Sequence, residues 1–157
     1  MVHYLFDQLA FVRKGTLKAA EGVTEEQADI VPEGFNNSIR WNLGHLYVVL
    51  ERYGFKYIGL PQQLPEGFRE RFEFGTSPRS YEGAAPVPTM TELTELLGGQ
   101  VDRIREALGD RMHEQVTPYT TSTGFTLYTP EQFMSLALYH EGLHQSVIKL
   151  YKTILNR

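Results

Sequence analysis

Apolar positions recur along this chain in steps of three and four, and those steps mark helices. Over residues 4–20, Leu5, Leu9, Val12, Thr16 and Ala19 make one stripe, the inward face of a helix in a bundle. Thr24 and Gln27 have the spacing of a capping box and predict a short helical turn. A second long helix follows "EGFNNS", where Asn37 or Ser38 can cap, and is expected to run to Tyr57. It carries two stripes: Ile39, Leu43, Leu46, Leu50 and Tyr53 on one, Trp41, His45, Val48 and Arg52 on the other. A helix apolar on two sides touches two neighbours, so this is the expected central one.

Residues 58–88 show no clean period and are rich in Pro, Gly and Arg. Such a stretch is far longer than the usual helix connection. It can carry the chain back along a whole helix, so the helices on either side are expected to run parallel. A third helix starts at a Thr89–Glu92 capping box and places Met90, Leu93, Leu97, Val101, Ile104 and Leu108 inward. Gly98 and Gly99 weaken its middle, by ~1 kcal/mol each relative to Ala. After a loop through "TPYTTSTGFTLY", Thr129 caps, Pro130 takes the first helical position and Gln132 is expected to complete a third box. The last stripe reads Phe133, Ala137, His140, His144, Val147, Tyr151 and Ile154, which puts two histidines on the core-facing seam.

Composition narrows the class. The 157 residues fit a single domain that buries roughly two-thirds of its unfolded surface. At 41% hydrophobic and 22% charged the chain is too apolar to be disordered. No stretch reaches the ~18 apolar residues of a membrane span, and the first residues lack the pattern of a signal peptide. There is no Cys, hence no disulfide, thiolate nucleophile or Cys-based zinc site, and a cytoplasmic location is expected by elimination. A net charge of −4 with interspersed signs argues against nucleic acid as the partner.

The histidine pair is the strongest chemical signal. His140, Glu141 and His144 spell H-E-x-x-H. Side chains four apart on a helix stand roughly 5–6 Å apart at Cβ, so two imidazoles can share one divalent ion. Either ring alone reads more readily as a hydrogen-bonded core residue, but burying several imidazoles without a partner is costly. Zinc peptidases with this motif take their third ligand downstream. Here "QSVIKLYKTILNR" follows His144 and holds no His, Asp or Glu, so a third ligand must come from upstream. His3 lies at the chain start and His113 in a helix end or loop, which leaves His45 as the best candidate.

"SIRWNLGHLYVVLERY", with "YHEGLHQSVI" some ninety-five positions later and "TSTGFTLYTPEQ" before the last helix, resembles the DinB/YfiT-like superfamily of metal-dependent enzymes over nearly the whole chain. The resemblance implies an all-α, four-helix bundle with up-down-down-up order and a long crossover between helices two and three. It also implies a three-histidine divalent metal site, here His45, His140 and His144, and homodimers are common among relatives. Some relatives are transferases or isomerases that use low-molecular-weight thiols such as bacillithiol, mycothiol or glutathione.

Three imidazoles leave coordination positions open for water or a small-molecule substrate, and zinc or nickel suits the donor set. A Lewis-acidic ion there would support thiol S-transfer or hydrolysis. The alternatives are a metal-binding module without turnover and a dimeric interaction protein. Glu141 is a candidate general base, or else a solvated helix-surface carboxylate. Asn42 and Arg40 are expected to contact substrate, to support the ligands or simply to flank the helix, and Trp41 to pack in the core or wall a pocket. The aromatics of residues 53–81 either roof the site or pack over the helices.

Overall fold

The computed structural model describes residues 3–156. Four long helices dominate: α1 (Tyr4–Ala20), α3 (Ile39–Gly54), α5 (Met90–Leu108) and α6 (Pro130–Leu155). Two five-residue helices, α2 (Glu25–Asp29) and α4 (Phe68–Phe72), sit in the connections. Among the described residues the regular structure is helical but for one two-residue antiparallel pair, β1 (Tyr119–Thr120) with β2 (Thr126–Leu127). Among the described residues no helix is long and apolar enough to cross a membrane.

Local chemistry starts the expected helices where their signals lie. Thr24–Gln27 and Thr89–Glu92 both close full capping boxes, and Ser38 rather than Asn37 caps α3. The third expected box does not form. Thr129 accepts from the Gln132 N–H, but the Gln132 side chain reaches past it to the backbone N–H of Tyr128 at 2.6 Å. α3 stops at Gly54, short of the expected Tyr57, and the chain tightens into a 3-10 turn at Lys56–Ile58. Residues 58–88 fold more than their lack of period suggested. α4 forms there because Phe68 and Phe72 are buried against α3, which supplies the stability that its sequence lacks. The β pair, inside the expected loop, forms for a similar reason. Tyr119 is held by stacking on Tyr57 at 4.2 Å, a contact from far along the chain.

Contacts set the helix directions. His3 meets Glu131, Arg13 meets Glu141 and Glu21 meets Lys152, so α1 and α6 advance together. Asn42 meets His144 while Tyr53 meets Phe133, so α3 runs against α6. Arg40 bonds the carbonyl of Pro88, and Gly54 lies against Ile104, so α3 and α5 advance together. Fourteen of the sixteen residues of α3 are buried, which makes it the central helix.

The apolar core is split in two. One cluster gathers Ala19, Leu43, Leu46, Leu93, Leu97 and Ile148; the other gathers Leu9, Leu50, Ile104, Leu108, Phe133 and Ala137. Polar side chains lie between them on every long helix. Arg13 and Thr16 on α1, Glu51 on α3, Gln100 on α5 and Glu141 on α6 are all buried. On α1 this corrects the expected stripe, because Arg13 is buried where Val12 is only half-buried.

Candidate metal centre

The three histidines picked out by spacing meet at the edge of this polar layer. His45 faces inward from α3, and one ring nitrogen from each of His45, His140 and His144 lies within 4.8 Å of the other two. The Nε2 atoms of His45 and His140 are 3.2 Å apart. Ring centroids stand 5.1 Å apart for His45–His140, 4.8 Å for His45–His144 and 4.6 Å for His140–His144.

What orients the rings matters as much as where they stand. His45 Nδ1 lies 2.7 Å from the Phe72 carbonyl, which can only accept, so the proton is on Nδ1 and the Nε2 lone pair is free. His144 Nδ1 lies 2.7 Å from Asn42 Oδ1, and Asn42 Nδ2 donates to the Ser38 carbonyl. That second bond fixes the amide so that its oxygen faces His144. The proton of His144 is thereby on Nδ1 as well. Holding the outer nitrogen protonated and the inner one bare is the usual device by which proteins prepare a histidine ligand.

Trp41 does more than fill space. Its indole stacks on His45 at 4.6 Å and 12° and is pinned by an N–H donated to Thr76 Oγ1 at 2.9 Å. The Phe72 ring sits over Gly44, where a Cβ would come within 2.5 Å of it. Glycine beside His45 therefore lets the Phe72 segment approach closely enough to present its carbonyl.

All three imidazoles are held neutral. Burial, then the neighbouring histidines, push His140 down to about 3. Burial and the proximity of His45 push His144 down to about 4. His45 is lowered by burial, opposed by its bond to the Phe72 carbonyl. Three neutral imidazoles, two of them with the inner nitrogen bare, are a donor set for a divalent cation.

The expectation of Glu141 as a solvated carboxylate is corrected by its burial. It is neither a solvated surface carboxylate nor turned toward the histidines. At 2% exposure it receives both Arg13 Nε, at 2.6 Å, and Arg13 Nη2, at 3.0 Å, and the Thr16 hydroxyl at 2.9 Å. On the helix it points to α1 while His140 and His144 point to α3. The ion-paired Arg52 and Glu73 are instead the charged groups whose fields reach the site. The first lay on the second stripe of α3; the second carried no sequence signal, because a fold of the 58–88 segment brings it in.

Asn42 is the support of His144, and Arg40 turns away to pair with Asp29 and Glu25. Of the loop aromatics, Phe55, Phe68 and Phe72 are buried, Tyr81 stacks under Arg71 and Phe74 is exposed. His113 is exposed, as its loop position suggested, whereas His3 caps α1 and meets Glu131.

A search of curated proteins finds no match. The family model of the DinB superfamily matches residues 8–148, nearly the whole chain and every residue of the histidine centre. Sequence motifs, helical fold and converging imidazoles agree with that match, and the chain belongs to the DinB superfamily.

Proposed function

We propose that His45, His140 and His144 hold a divalent transition-metal ion in an enzyme acting on a small molecule, as a low-molecular-weight-thiol S-transferase or a hydrolase. The observation that carries the reading is the pair of outer hydrogen bonds, from His45 to the Phe72 carbonyl and from His144 to Asn42. A bare imidazole cluster could be a packing accident, but two rings with fixed tautomers and inward lone pairs are prepared for a cation. A bound ion would supply Lewis acidity to a thiol or a water. Zinc or nickel suits three imidazoles, and three protein ligands leave room for a further one, as in catalytic rather than structural sites.

The chain's own residues do the rest. Trp41 keeps the His45 ring flat against one wall, and Arg52, paired with Glu73, supplies positive field beside the rings. Glu141 is assigned to holding α6 against α1 rather than to proton transfer, since Arg13 and Thr16 occupy it. The helix directions support an up-down-down-up four-helix bundle with 58–88 as its crossover. Exposed Tyr139, Leu143 and Leu150 on the outer face of α6 offer a surface for the homodimer common in the family.

The test is elemental analysis of untagged protein alongside its His140→Ala variant, followed by transfer assays with bacillithiol and glutathione and a hydrolase panel. One metal ion per chain in the parent, less than a tenth of that in a still-folded variant, and turnover lost with the metal are expected. A metal that resists substitution of His140 overturns the site. A loaded site inactive in every assay returns the reading to a binding module.

A further inference from the structure

A second cluster of ligating groups lies outside this centre. His3 from the start of α1, His113 from the 3-10 turn Arg111–His113 and Glu131 from the first turn of α6 come together, with one donor atom of each within 4.8 Å of the others. Glu131 stands between the two rings. Its Oε1 is 3.2 Å from His3 Nε2 and its Oε2 is 3.2 Å from His113 Nδ1. The rings meet edge to face at 5.6 Å, and Tyr4 stacks on the outer side of His3 at 4.8 Å. Glu131 and His140 are nine positions apart on α6, ~13 Å along the axis, so the two clusters cannot share an ion.

We propose that His3, His113 and Glu131 form a second divalent transition-metal site, distinct from the three-histidine centre, which fastens the start of α1 to the start of α6. Two imidazoles and a carboxylate are a recognised donor set for zinc, with ligand atoms ~2.0–2.2 Å from the ion and so about 3.3 Å from one another in a tetrahedral shell. Each histidine nitrogen stands 3.2 Å from its own oxygen of Glu131, so the carboxylate already reaches both rings. The carboxylate supplies the anionic charge that the histidine centre lacks, and a fourth position is left to water. The His113 side chain is 73% exposed while that of His3 is only 14% exposed, so the site opens to solvent on one side and rests on a fixed ring on the other.

Loading has a structural consequence. His3 Nδ1 accepts the N–H of Leu5 at 3.3 Å, which puts the ring proton on Nε2, toward Glu131. A cation on Nε2 takes the place of that proton, and the proton retained by the neutral ring moves to Nδ1. The chain thus gives up one long capping bond and gains an ion whose three ligands tie three separate segments. Its binding energy adds to the stability of the folded chain, because the unfolded chain does not hold the three donors together.

The experiment counts zinc ions by calorimetric titration of chelator-treated, untagged, full-length protein. The parent is compared with His113→Ala, whose side chain is exposed enough to be removed without disturbing the core, and with Glu131→Gln. Two ions per chain in the parent and one in each variant are expected. Amide exchange at Phe6, whose N–H donates to the His3 carbonyl, should slow on zinc addition in the parent and not in the variants. If the histidine centre fails to bind zinc, the counts become one and none, so the two sites are judged separately. A count unchanged in both variants overturns the proposal and leaves His3, Glu131 and His113 as an ordinary hydrogen-bonded cluster.

Discussion

A histidine is a ready ligand only when its proton sits on the far nitrogen, and here two backbone or amide oxygens see to that. Asn42 is the informative case because its whole role runs through another residue: Nδ2 bonds Ser38, and Oδ1 bonds His144. Replacing Asn42 with Ala frees the His144 ring to rotate and to exchange tautomers. Loss of such a supporting partner typically costs 10–100-fold in metal affinity. Competition against a chromophoric chelator should record a weakening of that size with the fold intact by circular dichroism. An affinity within about twofold of the parent would mean that packing alone orients the ring. The ligands themselves were legible because three histidines fell on inward stripes of two helices. Their supports were less so. Asn42 was visible as a neighbour of the site, but the Phe72 carbonyl reaches His45 only through the fold of 58–88, and a backbone oxygen has no signature in a sequence.

At the scale of the element, periodicity and caps act together. α5 keeps its path through Gly98 and Gly99 although both lower its helix propensity, because its apolar stripe from Leu93 to Leu108 is buried on both sides of them. Both glycines are exposed, and a Cβ added to either meets nothing within 4 Å. Gly98→Ala should therefore stabilise the protein by ~0.5–1 kcal/mol, chiefly by restricting the unfolded chain. Urea denaturation reads this as a higher midpoint at constant slope; a lower midpoint would show that some partner needs the space. The long helices could be read in advance because each repeats its signal over several turns. α4 and the β1–β2 pair are too short to carry a repeat, and each is held by side chains distant in sequence, Phe68 and Phe72 on α3 and Tyr119 on Tyr57. The overshoot of α3 has the same origin. Tyr53 and Tyr57 continue an apolar period, but Phe55 turns inward at Gly54 and the chain leaves the helix.

Across the whole molecule the polar layer is the least expected feature, and it bears on the site. Arg13 joins Glu141 to the Leu97 carbonyl and to Gln100, and Gln100 joins the Tyr47 carbonyl and Glu51, so one connected network crosses α1, α6, α5 and α3. The apolar stripes do not reveal it because Arg13 and Gln100 each lie one position from an apolar residue, half-buried Val12 and buried Val101. A buried ion pair contributes little net stability when both members are present, but removing one leaves an uncompensated buried charge and costs about 3–5 kcal/mol. Arg13→Met should incur a loss of that order, since the Glu141 carboxylate then keeps only the Thr16 hydroxyl at 2% exposure. Arg13→Met combined with Glu141→Leu should recover most of it, because no charge is left to desolvate. Denaturant midpoints of parent, both single variants and the double variant give the coupling directly; additive losses would show that the two side chains act independently. The double variant also separates two roles for Glu141. Since the carboxylate stands on the α1 side of α6, removing it together with its partner should leave the zinc count of the histidine centre unchanged. A lost ion would mean that the pair sets the rotation of α6 and, through it, the reach of His140 and His144 toward His45.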